Sequence, residues 1–420
     1  MKSPWGWIPS LYFAQGIPYA VVMALSVVMY KDMGISNTEI AFYTSWLYLP
    51  WVIKPLWSPL AELIGTKRGW IWALQFCVAV ALALVALTLP GSEFFRMSLA
   101  VLWLMAFASA SHDIAADGFY LLAQDVGDQA AFIGVRSTCY RLANISVQGG
   151  LVAFAGHLQK TMGSTALAWS MVFWLLTGAF VLLGAWHWRV LPRPTEDRKA
   201  AVHGEFLRDF GQVFLAYFKK PGIVVTLAFL LLYRFPEAQL LKLAVPFLKD
   251  SAVAGGLGLS NEQVGLAYGT VGVAALTLGG LLGGWVVSRF GLKRVLWPLV
   301  IVMHLPNVVF LLLAQSQTAS VPLICTALAV EQFGYGLGFT AYMMYMVLVA
   351  EGAHKTAHYA ICTGFMALGM MLPGMWSGWL QDKLGYFHFF GWVLLCTLPS
   401  LAMAALIRIP ENFGKKQTTT

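Results

Sequence analysis

The chain has 420 residues, of which 59% are hydrophobic and only 11% charged, and its mean hydropathy is +0.70. No water-facing surface of that length tolerates such a composition, so a soluble globular protein is excluded and a lipid bilayer is the expected solvent. The formal net charge of +8 is a matter of which loops carry the cations and does not imply a nucleic-acid partner.

Windows of about 20 apolar residues, long enough to cross a core of about 30 Å, fall at 6–30, 39–60, 70–90, 97–122, 131–156, 167–189, 222–248, 263–287, 295–316, 321–349, 356–380 and 387–409. The predicted fold is therefore an all-α integral membrane protein with twelve transmembrane helices in two six-helix bundles. The bundles are expected at 1–190 and 222–410. A polar stretch at 191–221, which opens Leu191-Pro-Arg-Pro194, reads as a cytoplasmic linker and a passive strap, and the tail at 411–420 is expected to lack structure. The first window carries Gln15, Gly16 and Pro18 and leads straight into another span, unlike a cleaved secretory signal. With the N-terminus cytoplasmic, seventeen Lys and Arg fall on that side and five on the other, which places both termini inside. The remaining cations, Lys54, Arg136, Arg141, Arg234 and Lys242, lie within spans. The five cysteines sit in apolar segments without Cys-x-x-Cys spacing and read as packing residues.

A duplication runs through the chain. Ser58-Pro-Leu-Ala-Glu62-Leu-Ile-Gly65-Thr-Lys67-Arg68 recurs 226 residues later as Gly284-Trp-Val-Val-Ser288-Arg-Phe-Gly291-Leu-Lys293-Arg294. The same offset carries Leu122-Ala-Gln-Asp125 onto Leu348-Val-Ala-Glu351. Two regions of each half thus keep one register, the layout of a transporter built from parallel repeats.

Twelve spans, a central loop and a duplicated basic turn make the chain resemble the major facilitator superfamily over essentially its whole length. Ser58 and Glu62 depart from the usual glycine and aspartate of that turn, and Ser288 removes the acid from the second copy. The resemblance implies that the turns, with Glu62, Gly65, Lys67, Arg68, Gly291, Lys293 and Arg294, form a cytoplasmic gate that is stronger on the Glu62 side. Within the superfamily, three stretches look like AmpG-type muropeptide permeases and their acetyl-CoA-transporter relatives: Tyr12-Phe-Ala-Gln-Gly16-Ile-Pro18, Trp51-Val-Ile-Lys54-Pro55-Leu-Trp57-Ser58-Pro59, and Ser109-Ala-Ser111-His112-Asp113-Ile-Ala-Ala-Asp117-Gly-Phe-Tyr120 with Gly134-Val-Arg136-Ser-Thr-Cys-Tyr140-Arg141. His112 stands where that family more often has Gln. The resemblance implies uptake of peptidoglycan-derived sugars or peptides across a bacterial inner membrane.

Intramembrane charge locates candidate sites independently, because each ionisable group near the bilayer centre costs about 2.5 to 3.5 kcal/mol and is kept where it faces protein or water. Ser109, His112, Asp113, Asp117 and Tyr120 follow spacings of three and four and share a helical face. Asp113 and Asp117 can pair with Arg136 and Arg141, which suits either a proton carrier or a permanent structural brace. His112, Asp113 and Asp117 are the candidate proton-coupling residues. Candidate substrate contacts are Tyr12, Gln15, Lys54, Arg136, Arg141 and Asn144 in the first half, and Arg234, Glu237, Glu331 and Tyr335 in the second. Arg234 and Glu237, three apart, can also simply neutralise one another. Pro236, like Gly16 and Pro18, is expected to break its helix beside a cavity.

The function these features favour is secondary active transport, a proton-coupled import of amino sugars or muropeptides by alternating access. Export or import of another solute, such as a drug, a siderophore-like compound or an acyl-CoA-like anion, shares the architecture. A membrane acyltransferase using His112-Asp113 is the enzyme alternative, against which stands the lack of any nucleotide, metal or nucleophile motif. No cofactor or metal is expected. The expected partners are a small-molecule substrate, protons and lipid, with the protein a monomer.

Overall fold

The structure, a computed structural model, describes residues 3–63, 65–124, 126–195, 197, 206–352 and 355–415. Among the described residues all regular structure is helical, as it must be where lipid offers no partner for backbone N–H and C=O groups. The chain folds as two compact units, one of Met1–Ile35 and Ile53–His203 and the other of Ser36–Val52 and Gly204–Thr420.

In the first unit, the first span is Pro4–Asp32, the third Lys67–Thr88, the fourth Phe94–Ala123 and the sixth Thr165–Val190. The second span is built from Asn37–Trp46, which belongs to the second unit, and Leu49–Leu63, most of which belongs to the first. The fifth runs from Val126–Ile145 through a π turn, Ser146–Leu151, into Val152–Met162. Side-chain caps fix several starts: Ser36 accepts from Glu39 N, Thr66 from Gly69 N and Ser164 from Leu167 N. The first span does not break at Gly16 or Pro18. Its helix continues through Ala20 and passes into a π turn at Val21–Leu25.

In the second unit the seventh span is Ile223–Lys249, the eighth Asn261–Phe290, the ninth Leu292–Ser316 and the tenth Val321–Ala350. The stretch Ala357–Leu406 is 50 residues long and turns at Gly385, where φ is 70°, so it supplies the eleventh and twelfth spans. Nine stretches of the described residues are apolar and long enough to cross a membrane. The second span falls outside that set because its helix is interrupted at Leu47 and Tyr48, and the fifth because polar residues, among them Arg136, Arg141, Asn144 and Gln148, run along it. The eighth and tenth spans touch backbone to backbone: a Cβ on Gly279 would lie 2.1 Å from Phe333 O, and one on Gly336 2.2 Å from Leu276 O. Small residues at such crossings are what membrane helices use in place of a hydrophobic driving force. Leu84, Leu104, Leu182, Val224, Leu281 and Leu395 remain exposed, an apolar surface that only lipid can cover.

Three segments differ from the expectations of the sequence. Residues 36–52 pack with the second unit: Asn37 Nδ2 donates to Asp250 Oδ2, Gln381 Oε1 and the Tyr386 oxygen at 3.1, 2.9 and 2.9 Å, and Thr38 donates to Asp382. The linker is not merely a strap, because Phe206–Phe218 is a helix docked on the second unit. Tyr217 is fully buried with its hydroxyl 3.3 Å from Cys362 Sγ, and His358 Nε2 bonds Val213 O at 3.2 Å. The tail is ordered as far as Lys415: Leu292 N donates to Phe413 O at 2.9 Å, and Lys293 pairs with Glu411 at 3.2 Å. Phe413 packs against the core of that unit, which offsets the entropy of ordering a terminus.

Candidate functional site

The first unit holds two ion pairs on the fourth span. Asp117 Oδ1 accepts from Arg136 Nη2 at 2.7 Å and from the Tyr12 hydroxyl at 3.2 Å. The Arg136 guanidinium lies 4.2 Å from the ring centroids of both Tyr12 and Tyr120, so one carboxylate and two π faces hold it. One turn earlier Asp113 pairs with Lys54 Nζ at 3.7 Å. These side chains are partly open, 24% and 15% exposed for Lys54 and Asp113 and 24% and 48% for Arg136 and Asp117, so a polar guest can reach them. The pairing differs from the expected one in one respect. Lys54, not Arg141, faces Asp113, and Arg141 has no ion pair among the described residues. Asn144 donates to Tyr140 O at 2.9 Å and accepts from Gln148 at 3.3 Å. Gln15 is buried with its Oε1 unbonded.

His112 does not join Asp113. Consecutive helical residues point about 100° apart, and His112 turns inward to Gln75 Nε2, 3.0 Å away. Gln75 Oε1 reaches His187 Nδ1 at 2.8 Å, and His187 Nε2 reaches Ser10 Oγ at 2.9 Å. With the Gln75 amide nitrogen donating, His112 Nε2 accepts and carries its proton on Nδ1. The relay expected at His112-Asp113 is replaced by a network linking the first, third, fourth and sixth spans. Ser109 Oγ, expected on the same face as Asp113, is buried without a partner.

In the second unit the seventh span breaks at Tyr233 and Arg234, with Pro236 in the first turn of the helix that follows, where its missing N–H costs nothing. Arg234 donates to the Tyr335 hydroxyl and lies 4.8 Å from the Phe339 ring centroid. Glu237 is not neutralised by a direct ion pair with Arg234; its Oε1 is 3.1 Å from His304 Nδ1. Glu331 is buried and accepts from Gln332 at 2.8 Å. Lys242 is buried as well, donating to Thr44 Oγ1 at 2.8 Å with its ammonium 5.3 Å from the Tyr48 centroid. Among the described residues no group of three His, Cys, Asp or Glu is placed to hold a metal ion.

The duplicated turns share a conformation: φ is 78° at Gly65 and 82° at Gly291, a left-handed region that glycine occupies without strain. Both turns bind the chain leaving the sixth span of their own half. Asp197 caps the third span, accepting from Lys67 N at 2.8 Å and Arg68 N at 3.0 Å, and Arg68 also donates to Trp188 O and Leu191 O. Lys293 takes Glu411 in the second unit. The side chain of Glu62 lies outside the described residues.

Residues 15–313 match the BT1 family. The chain belongs to the BT1 family. Among similar proteins, this BT1-family chain is 25% identical over 409 residues to the anhydromuropeptide permease of Escherichia coli strain K12, covering 95% of its own length and 78% of the permease. It is 23% identical over 360 residues to a putative AmpG transporter of Rickettsia bellii, covering 83% of each chain. Solved structures of the same fold include the nucleoside transporter NupG, at a TM-score of 0.69 and 16% identity, covering 96% of this chain and 98% of that one. The D-xylose-proton symporter gives 0.69 and 11%, with 98% of each chain covered. The BT1-family member is a multi-pass membrane transporter of the major facilitator fold with a small-molecule substrate, and not an enzyme.

The residues that sequence reasoning overlooked are Gln75, His187, His304, Thr44 and Asp197. The first three were discoverable as polar side chains within apolar windows. Thr44 and Asp197 carry no such signal, since their roles depend on which helix end or ammonium the fold brings to them.

Proposed function

We propose that this transporter imports peptidoglycan-derived amino sugars or anhydromuropeptides, with protons, across a bacterial inner membrane. The observation that carries the reading is the two partly open ion pairs, Arg136–Asp117 and Lys54–Asp113, with Tyr12 and Tyr120 buried behind Arg136. Arg136 and Lys54 suit the carboxylates of lactyl and peptide groups, and Asp113 and Asp117 are the acids that a guest would release from their cations. The permease relative of Escherichia coli supports the substrate class. In this reading Gln15, Arg141 and Asn144 are further substrate contacts within the first unit, and Arg234, Glu331 and Tyr335 are candidate contacts within the second. The protein works by alternating access as a monomer with both termini cytoplasmic, and the basic turns gate the cytoplasmic side.

The test is uptake of labelled anhydromuropeptide into proteoliposomes with an imposed pH gradient. Wild-type protein accumulates it uphill, while Asp113→Asn loses accumulation yet retains measurable exchange. Full uphill accumulation by the variant removes Asp113 from coupling, and wild-type uptake indifferent to the gradient removes the proton.

A further inference from the structure

In the second unit, two helix breaks frame one acid and one imidazole. The seventh span breaks at Tyr233 and Arg234, and the ninth gives way after His304 to a 3-10 turn, Leu305–Asn307. Between them Glu237 and His304, 2% and 3% exposed, meet through Oε1 and Nδ1 at 3.1 Å. Their outer atoms, Glu237 Oε2 and His304 Nε2, are buried and have no hydrogen-bond partner. Neither do Arg234 Nε or the two side-chain polar atoms of Asn307. Five open polar valences close together in sequence and fold are not how a structural brace is built, since each such group costs about 1 to 3 kcal/mol when left unmade.

We propose that Glu237 and His304 form a proton-binding site that holds one exchangeable proton between carboxylate and imidazole. With the proton present the pair is neutral, whether written as acid with imidazole or as carboxylate with imidazolium. Without it a bare carboxylate remains in a dry interior, at a cost of several kcal/mol. The proton therefore leaves only when water reaches Oε2 or Nε2, and it leaves as hydronium while the pair goes from neutral to a charge of −1. The groups facing the pair are Arg234, whose charge acts on Glu237 while its hydrogen bond goes to Tyr335, Lys242, which donates to Thr44, the buried acid Glu331, and the Tyr233 hydroxyl, which donates to Gly338 O; none of them hydrogen-bonds Glu237 Oε2. Two ligating side chains, with no third among the described residues, also fit a proton better than a metal ion. The use of this proton in transport rests on the coupled-import reading; its binding does not.

The test uses full-length protein in lipid vesicles. Infrared difference spectra are recorded on acidification from about pH 8 to about pH 5. The expected result is a carboxyl or imidazolium band that is lost in both Glu237→Gln and His304→Gln. A band that survives in either folded variant, or no such band in wild type, overturns the site, so a single folded variant is enough to decide it. Gradient-driven accumulation of anhydromuropeptide is measured alongside, with loss expected in Glu237→Gln. Wild-type uptake indifferent to the gradient overturns the coupled-import reading and leaves the titration to decide the site by itself.

Discussion

Arg136 shows how one residue can carry both charge and shape. Its guanidinium sits between Tyr12 and Tyr120 and meets Asp117 edge-on, an arrangement that needs a flat cation. Lysine has the charge but not the plane, so Arg136→Lys should lose most of the two ring interactions, each worth about 0.5 to 2 kcal/mol. The expected outcome is a rise of about tenfold in the apparent Kd for anhydromuropeptide, since 1.4 kcal/mol is one decade, with membrane yield unchanged; binding measured by calorimetry checks it. That Asp117 meets an arginine was legible because three-and-four spacing marks a polar helical face, although the spacing left Arg136 and Arg141 both open as its partner. The Lys54–Asp113 pair was not legible, because spacing along one helix says nothing about which neighbour supplies the cation. His112 illustrates the same limit: adjacency to Asp113 in sequence is separation on a helix.

At the scale of elements, the seventh span and the pair formed by the eighth and tenth are the most instructive. Pro236 announced a discontinuity, and the break falls two to three residues before it because proline is welcome in a first helical turn and unwelcome further in. Pro18, in contrast, lies inside a helix that continues past it, and composition alone does not distinguish those outcomes. The glycines of the eighth and tenth spans read as ordinary small residues until the helices are placed. Gly336→Ala would set its Cβ 2.2 Å from Leu276 O, a backbone atom that moves only with its helix. Overpacking of that kind costs about 1 to 3 kcal/mol. Gly284→Ala, where a Cβ meets nothing within 4 Å, is the control. Thermal denaturation in detergent should show a lowered midpoint for the first and an unchanged or slightly raised one for the second, and equal midpoints would mean that the close crossing is not tight.

For the whole molecule, the class, the span count and the repeat followed from apolar windows and a fixed offset, because a bilayer imposes one length on every element. What the offset could not convey is that each repeat is finished by the chain leaving its sixth span: Asp197 closes the first basic turn and residues 411–415 close the second. The linker misleads for a related reason. Its charge made it look like solvent-exposed rope, while Val213, Phe214 and Tyr217 give its later part an apolar side that the second unit buries. That docking decides where the gene can be cut. Two separately translated halves, co-expressed and purified through a tag on one of them, should assemble when the junction falls between Asp197 and Phe206, so that the helix Phe206–Phe218 travels with the later half. A junction at residue 221 strands Tyr217 on the earlier polypeptide and leaves its buried site beside Cys362 vacant, and the yield of co-purified halves should fall accordingly.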